Sequence, residues 1–599
     1  MSLLLVLVFE RGIDMTPEER ILKHLNFLYG DQAGEVWADL HRRLRRFADG
    51  HPGWGEAFSP SALLSQRDAI LITYGDQFQE PGRPPLQILV ELAAQHLDGV
   101  VSGIHILPFF PYSSDDGFSV IDYRQVNPDL GTWDDVHRLG ERFKLMFDAV
   151  INHISRDSAW FQGYLRGEVP YTGYFITVEP GTDLSTVVRP RALPLLTAVE
   201  TVDGEALVWT TFSEDQIDLN YADPRLMLEI VDLLLFYAAQ GAEIIRLDAI
   251  AYLWKEIGTP CIHQPQTYEV VRLWRAVLDA VAPGVLLITE TNVPHEENIS
   301  YFGDPLPGGG TDQAQMVYQF SLAPLTMHSI LVGDASVLSE WAASLDAPAQ
   351  ATFFNFTASH DGVGVRPAEG LLAPAQIQAL ADAAVAHGGY VSFKNNEDGT
   401  RSAYELNISY FDALSDPAAD EPTEVQVARF IVSQAIMLSL AGVPGIYVHS
   451  LLGSRSWREG VAQTGRNRTI NRQKLDRASL ERELADPTSL RHRVFTSYAA
   501  LLRARATEPA FHPFGEQRVL ALDRGVFAVL RIAPEGGRRV LCLNNVSASE
   551  RRVSVAAVDL EAGGGPWFDL LTGKTYSLER DVLSVELPPY AVCWLRATP

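Results

Sequence analysis

Residues 242–256 read AEIIRLDAIAYLWKE. The first half is a short apolar run with adjacent β-branched residues, Ile244 and Ile245, and reads as a buried strand. Arg246 and Asp248 lie two residues apart, so in a strand their side chains leave on the same face. The second half turns small and helix-like. A carboxylate and a guanidinium at the end of a hydrophobic strand are costly to bury unless paired. They are either a structural ion pair or a nucleophile beside the cation that keeps it ionised, because a neighbouring guanidinium lowers a carboxylate's pKa.

Runs of similar texture recur along the chain. They are AILITYGDQF (69–78), VSGIHILPFF (101–110), KLMFDAVINH (144–153), EIIRLDAIAY (243–252), GVLLITETN (284–292), AQMVYQF (314–320), ATFFNFTASHD (351–361) and PGIYVHSLLG (444–453). Helical patterns such as DPRLMLEIVDLLLFYAAQG and TYEVVRLWRAVLDAV separate them. Strands alternating with helices imply parallel βα units, and about eight of them predict a (β/α)8 TIM barrel of the α/β class. Two connections are too long for plain loops: 154–216 after the third strand and 362–424 after the seventh. Insertions there lie on the C-terminal face of a barrel, where active sites are built, and are expected to roof the site. Residues 1–60 read as an N-terminal helical extension, 61–505 as the barrel with its insertions, and 506–599 as a C-terminal β-sandwich domain, from runs such as FAVLRI, RRVLCLNNVS and YAVCWLRA.

At 599 residues the chain calls for more than one domain. A net charge of −27 argues against nucleic acid or an anionic membrane as partner, and makes any anion site a local exception built from a few arginines or lysines. Cys261, Cys542 and Cys593 show no metal or disulfide spacing, so a reduced cytoplasm is the simplest compartment. The apolar run Leu3 to Phe9 is too short to span a membrane and lacks signal-peptide features. Thr16 and Glu19 have capping-box spacing with Pro17 at the first helical position, so translation is expected to begin at Met15. The oligomeric state is not fixed by the sequence; a homodimer is one candidate.

The strand ends carry the chemistry. The third offers Asp148, Asn152 and His153, the fourth Arg246 and Asp248, the fifth Glu290, the seventh His360 and Asp361. In a parallel barrel these ends converge on one mouth. A single Asp or His there is more often a cap or a structural pair than a catalytic group; the weight lies in the combination. An anionic Asp beside a carboxylic acid that can donate a proton is the apparatus of a retaining glycosidase, with the two carboxyls about 5–5.5 Å apart. Asp248 would attack the anomeric carbon and Glu290 would serve as acid and then base. Asp361 would hold hydroxyls that bind more tightly in the transition state, with His153 and His360 as further donors.

DAVINH, IIRLDAIAY, LLITETN and FTASHD resemble the four signature regions of the alpha-amylase superfamily, the family 13 glycoside hydrolases, and QIDLN (216–220) resembles an additional region of it. The resemblance covers nearly the whole chain after residue 60. It implies nucleophile Asp248, acid/base Glu290 and transition-state stabiliser Asp361, with Arg246, His153 and His360 lining the donor glucose site. It implies no organic cofactor. Some amylases ligate calcium at the position of Asn152, but no metal is expected here.

A narrower resemblance is to the sucrose phosphorylase branch. SSDDGFSVIDY is similar to its motif after the second strand, implying Asp115 at glucose hydroxyls and Phe118 facing the sugar ring. VVRPRALPLLT resembles its Arg-Pro-Arg segment and implies Arg191 as a phosphate ligand. LVWTTFSEDQIDLN implies Phe212 as an aromatic wall and Gln216 beside the acceptor; SAYELNISYFDAL resembles its mobile loop and implies Tyr404 at phosphate. NRTINRQKL implies that Arg472 pairs with Asp115. Inorganic phosphate would be the co-substrate. A site for an anion beside a carboxylate nucleophile needs arginine and neutral hydroxyl donors, and must exclude water.

Lys394, Arg401, Glu405 and Arg366 depart from plain sucrose phosphorylase, and the three extra cations among them suggest an anionic acceptor. With ETNVPHEENISYFG and YELN, they make the chain look most like the glucosylglycerate phosphorylases. The resemblance then implies reversible phosphorolysis of 2-O-α-D-glucosyl-D-glycerate to α-D-glucose 1-phosphate and D-glycerate by double displacement. The alternatives are a phosphorylase of sucrose or sucrose 6′-phosphate, a hydrolase or transglucosylase of the same fold, and a catalytically dead binding subunit. The last is disfavoured by the intact Asp248, Glu290 and Asp361.

Overall fold

The computed structural model describes residues 15–55, 63–190, 193–307, 309–395, 400–561 and 565–597. All eight expected strands form, and they are short: β1 Ile70–Thr73, β2 Gly103–Ile106, β3 Lys144–Ala149, β4 Ala242–Leu247, β5 Leu286–Thr289, β6 Met316–Gln319, β7 Thr352–Phe356 and β8 Val443–Tyr447. Each pairs in parallel with its chain neighbours, and β8 closes on β1. Parallel strands covered by helices are buried on both faces, which is why β1, β2 and β5 to β8 are buried along their whole length. The helix Pro224–Ala239 connects back to β4 and the helix Pro265–Val281 to β5.

The strand expected over 243–252 stops at Leu247. Ala249 takes a left-handed backbone (φ 48°) and the chain turns into a 3₁₀ segment, Ile250–Tyr252. Likewise β8 ends at Tyr447 and the helix Val448–Leu451 follows.

The first insertion carries the helix Ala159–Leu165 and an antiparallel sheet of Thr177–Val178, Leu196–Thr201 and Gly204–Trp209. It returns through Gln216–Asp218, which pairs antiparallel with His153–Ser155 at the exit of β3. The second carries the helix Pro374–Ala386 and the hairpin of Tyr390–Asn395 with Arg401–Asn407. At the N-terminal end, Thr16 and Glu19 form the expected capping box of the helix Pro17–Tyr29. That helix and Ala33–Gly50 lie on the barrel's outer helices through Arg20–Asp279 (2.6 Å), His24–Glu269 (2.5 Å) and an Arg43–Asp232 pair.

The C-terminal strands form a six-stranded and a two-stranded sheet. Period-two alternation gives the larger sheet two jobs. Val526, Ala528, Leu530, Leu541 and Leu543 pack with Val553, Val555, Leu583 and Val585 of the smaller sheet, which makes the sandwich. Phe527, Val529, Val540, Cys542 and Trp594 join the core of the barrel. Among the described residues no helix is long and apolar enough to cross a membrane.

At the floor of the barrel Arg505, on the helix Leu490–Ala506, is fully buried and donates to four carbonyls: Gln66 (2.7 Å), Asp68 (3.0 Å), Gly442 (2.9 Å) and Phe511 (3.2 Å). It ties the entrances of β1 and β8 to the start of the C-terminal domain. Arg505→Ala strips donors from buried acceptors and should cost about 3 kcal/mol or more. The expected result is a lowered melting temperature with unchanged KM, read by calorimetry and steady-state kinetics on the same sample.

Candidate active site

Strand register builds the centre. Arg246 on β4 stands opposite Asp148 on β3, and Leu247 stands opposite Thr289 on β5. One step beyond, Asp248 and Glu290 come level at the mouth. The Arg246 guanidinium lies beneath them, 2% exposed. Its Nη1 donates to Asp148 and, at 2.8 Å, to Asp248 Oδ1, while Nη2 is 3.8 Å from Glu290 Oε2. His105 on β2 completes the chain, with Nε2 2.6 Å from Asp148 Oδ2. The rings of Tyr318 and Phe118 cover the guanidinium at 5.4 and 5.8 Å. The left-handed turn at Ala249 aims its N–H at Glu290 Oε2, 3.1 Å away. Asp115 and Asp116, on the loop after β2, are also left-handed (φ 54° and 52°), so three strained non-glycine residues surround one mouth.

Protonation follows from burial and charge. Burial works to raise the Asp148 carboxyl, yet Arg246 and His105 together hold it down at about 2. Burial pushes Glu290 up to about 7, with the Asp248 and Asp361 charges adding to it and Arg246 opposing. Burial, seconded by Asp148, also raises Asp248 above the usual carboxylate value; Arg246 and His153 pull against it. The sequence reading expected Arg246 to lower Asp248. The guanidinium is shared, and Asp148 takes the larger part. Glu290 is the carboxyl raised far enough to hold a proton near neutrality. Asp361 is opposed by its burial but kept well below the usual range by Arg468, His360 and Arg472. Burial lowers both histidines, His360 to about 3, so they meet a ligand as neutral imidazoles.

A cleft of about 600 Å³, counting the open space at its mouth, lies over these groups. Asp115, Phe118, His153, Phe212, Gln216, Asp248, Glu290, His360, Asp361 and Tyr404 all line it. The Phe118 ring stacks on His360 at 4.7 Å and 2°. Gln216 Nε2 donates to Phe118 O (2.8 Å) and lies 3.1 Å from His153 Nε2, which fixes the imidazole's orientation. Phe212 stands edge-on to Tyr252 at 5.6 Å and forms a side wall.

Arg472 pairs with Asp115 at 3.9 Å, as expected, and more tightly with Asp116 at 2.6 Å; it lies behind the wall, where its Nε donates to His360 O at 2.8 Å. Other expectations are corrected. Lys394, Arg401 and Arg366 do not line the cleft. Lys394 pairs with Glu369 at 2.7 Å, Arg401 lies over the Phe393 ring at 5.1 Å, and Arg366 faces Glu297 at 4.0 Å. Each has a local partner outside the cleft: Glu369 and Phe393 at the hairpin, and Glu297 on the helix His295–Ile299. Glu405 is buried and faces Arg468 rather than the cleft. Arg191 lies outside the described residues; its neighbour Pro190 lines the cleft.

Arg468, Asn292 and Ala249 line the cleft without having been singled out. Arg468 had a signal: NRTINR presents two arginines four apart, and the 3₁₀ segment Asn467–Asn471 turns both toward Asp361, at 2.5 Å from Arg468 and 3.5 Å from Arg472. His105 was a lone polar residue in an apolar strand. Behind the mouth the Lys255 ammonium sits 2.6 Å from Asp218 and 2.9 Å from Asn152 Oδ1. Among the described residues no group of three or more His, Cys, Asp and Glu could hold a metal ion.

Residues 96–360 match the alpha amylase catalytic domain, and residues 518–594 match the maltogenic amylase C-terminal domain. The chain is 52% identical to the glucosylglycerate phosphorylase of Spirochaeta thermophila, over 97% of this chain and 99% of that one. It is 49% identical to the glucosylglycerate phosphorylase of Allomeiothermus silvanus, with the same coverage of both. Among solved structures, the sucrose 6F-phosphate phosphorylase from Thermoanaerobacter thermosaccharolyticum superimposes with a TM-score of 0.69 at 25% identity, covering 80% of this chain and 94% of that one.

Cleavage of an α-glucoside by this pair of carboxyls requires Glu290 in its acid form, which is lost as pH rises through about 7. The expected pH profile of kcat/KM is bell-shaped: it falls on the acid side as the Asp248 carboxylate takes a proton, and falls about tenfold per unit above about 7. With fluoride as leaving group, which needs no proton, Glu290→Gln should lack that limb. A wild-type profile flat to pH 9 would remove Glu290 as the acid.

Proposed function

We propose, from the premise that this chain belongs to the sucrose phosphorylase-like branch of the family 13 glycoside hydrolases, that it catalyses the reversible phosphorolysis of 2-O-α-D-glucosyl-D-glycerate to α-D-glucose 1-phosphate and D-glycerate. One observation carries this reading: identity of 52% to a glucosylglycerate phosphorylase along nearly the entire length of both chains. Sucrose 6F-phosphate phosphorylase is a more distant likeness, at 25%. The enzyme is a glucosyl-transferring phosphorylase acting on small molecules, with phosphate as co-substrate and no further cofactor.

The reaction is a double displacement. Asp248 attacks C1 of the glucosyl group while protonated Glu290 gives its proton to the departing oxygen of D-glycerate. The glucose is then bound through a β-ester to Asp248, and Glu290 is a carboxylate. Phosphate attacks C1 from the face the glycerate left, Glu290 takes back a proton, and the Asp248 carboxylate is released. Two inversions give net retention. Asp361 and the neutral His153 and His360 hold the glucose hydroxyls. Arg191 and Tyr404 receive the phosphate. The three cysteines are buried and unpaired, in keeping with a cytoplasmic location.

The test is the reverse reaction. With α-glucose 1-phosphate as donor, phosphate release should be fastest with D-glycerate among D-glycerate, glycerol, fructose and fructose 6-phosphate. A preference for fructose or its phosphate overturns the acceptor, and release insensitive to every acceptor overturns the phosphorylase. Asp248→Ala should abolish turnover while melting like the parent.

A further inference from the structure

The hairpin strand Arg401–Asn407 pairs antiparallel with Val363–Gly364, with Leu406 opposite Val363 and Glu405 opposite Gly364. Val363 follows Asp361 by two residues, so the hairpin is stitched to the chain segment that carries this carboxylate. The Val365 N–H donates to Tyr404 O at 3.1 Å. Tyr404 lines the cleft, and its neighbour Glu405 turns the other way, 3% exposed. There Arg468 meets it as a fork, Nε to Oε1 at 3.1 Å and Nη2 to Oε2 at 2.6 Å. The remaining edge of the same guanidinium, Nη1, is 2.5 Å from Asp361 Oδ1.

Gly362 permits this approach. A Cβ there would lie 2.6 Å from Glu405 Cγ and 2.6 Å from Leu406 O. A two-stranded hairpin is marginal by itself, and this one joins its base through two paired residues, the Val365–Tyr404 bond and the buried Ala403 and Leu406, with Glu405 in their midst. A charge-assisted fork is directional as well as strong. Where Tyr404 stands therefore depends on the fork at the next residue.

We propose that Glu405 is a positioning residue: with Arg468 it forms a latch that holds the Tyr404 hairpin against Asp361, and so sets how the glucosyl-enzyme divides between an anionic acceptor and water. The inference rests on the phosphorylase reading. A hairpin displaced from its latch withdraws the Tyr404 hydroxyl from phosphate and opens the cleft to water. A purely electrostatic role for Glu405 predicts the opposite sign. Its charge would repel phosphate and occupy Arg468, and its removal would favour the anion.

The test uses α-glucosyl fluoride as donor and inorganic phosphate as acceptor, with α-glucose 1-phosphate and glucose measured in the same sample. Their ratio reports partitioning and does not depend on how much of a variant folds. Glu405→Gln and Glu405→Ala should lower the ratio by up to about a hundredfold, the scale of a group misplaced by about 1 Å. Glu405→Asp, which keeps the charge but shortens the reach, should lower it too. So should Gly362→Ala, which keeps both charges and displaces Glu405. A raised ratio in Glu405→Gln, or parental ratios in Glu405→Asp and Gly362→Ala, would overturn the latch. Failure of the underlying reading looks different: the unaltered enzyme would then make no α-glucose 1-phosphate.

Discussion

The site depends on one buried guanidinium shared among three carboxyls. Asp148, Asp248 and Glu290 all face Arg246, in a place where unpaired charge is prohibitively costly. One cation cannot stabilise three anions equally. The contacts divide it unequally: Asp148 is held ionised by Arg246 and His105, Asp248 receives a single hydrogen bond, and Glu290 is left at longer range and pushed up to about 7. Three carboxyls of similar intrinsic acidity thus end as a permanent anion, a singly hydrogen-bonded carboxyl and one held near neutrality, the set that the proposed double displacement calls for. Barrel register makes the division possible, because it sets Arg246 level with Asp148 and brings Asp248 and Glu290 level one step higher.

A second cationic layer, Arg468 and Arg472, does for Asp361 what Arg246 does for Asp148. It keeps Asp361 ionised at the wall of the cleft. It also joins this carboxylate to the roof, since Arg468 reaches Glu405 on the hairpin. In the proposed mechanism, attack on C1 therefore belongs to strand ends fixed by the barrel, and the proposed choice of what completes the reaction to elements held by side-chain ion pairs.

That division also explains what the sequence made legible. The eight strands and the order of Asp148, Arg246, Asp248, Glu290 and Asp361 could be read because burial on both faces leaves continuous apolar runs, and a polar residue at the end of one is conspicuous. The pairing of Arg472 with Asp115 was legible too, but its second and tighter partner, Asp116, was not, because the two aspartates are adjacent and the left-handed backbone at both sets how each faces the guanidinium. The Arg468–Glu405 fork joins residues 63 apart through a hairpin whose docking no local pattern encodes. Lys394 and Arg401 read as acceptor ligands from charge alone; Glu369 and Phe393, which engage them, are visible only in the fold. Arg246 does lower Asp248, as its spacing implies, but burial and the Asp148 charge outweigh it, and neither of these is visible in the local sequence.

The central claim is that Asp248 becomes covalently glucosylated while Glu290 manages the proton. Trapping with 5-fluoro-α-glucosyl fluoride, which slows the second displacement, followed by peptide mass spectrometry, tests it directly. The account predicts one fluoroglucosyl group on the peptide that contains Asp248, attached at that residue and released when phosphate is added. A label on Glu290 or Asp361, or turnover with no covalent adduct, would contradict it.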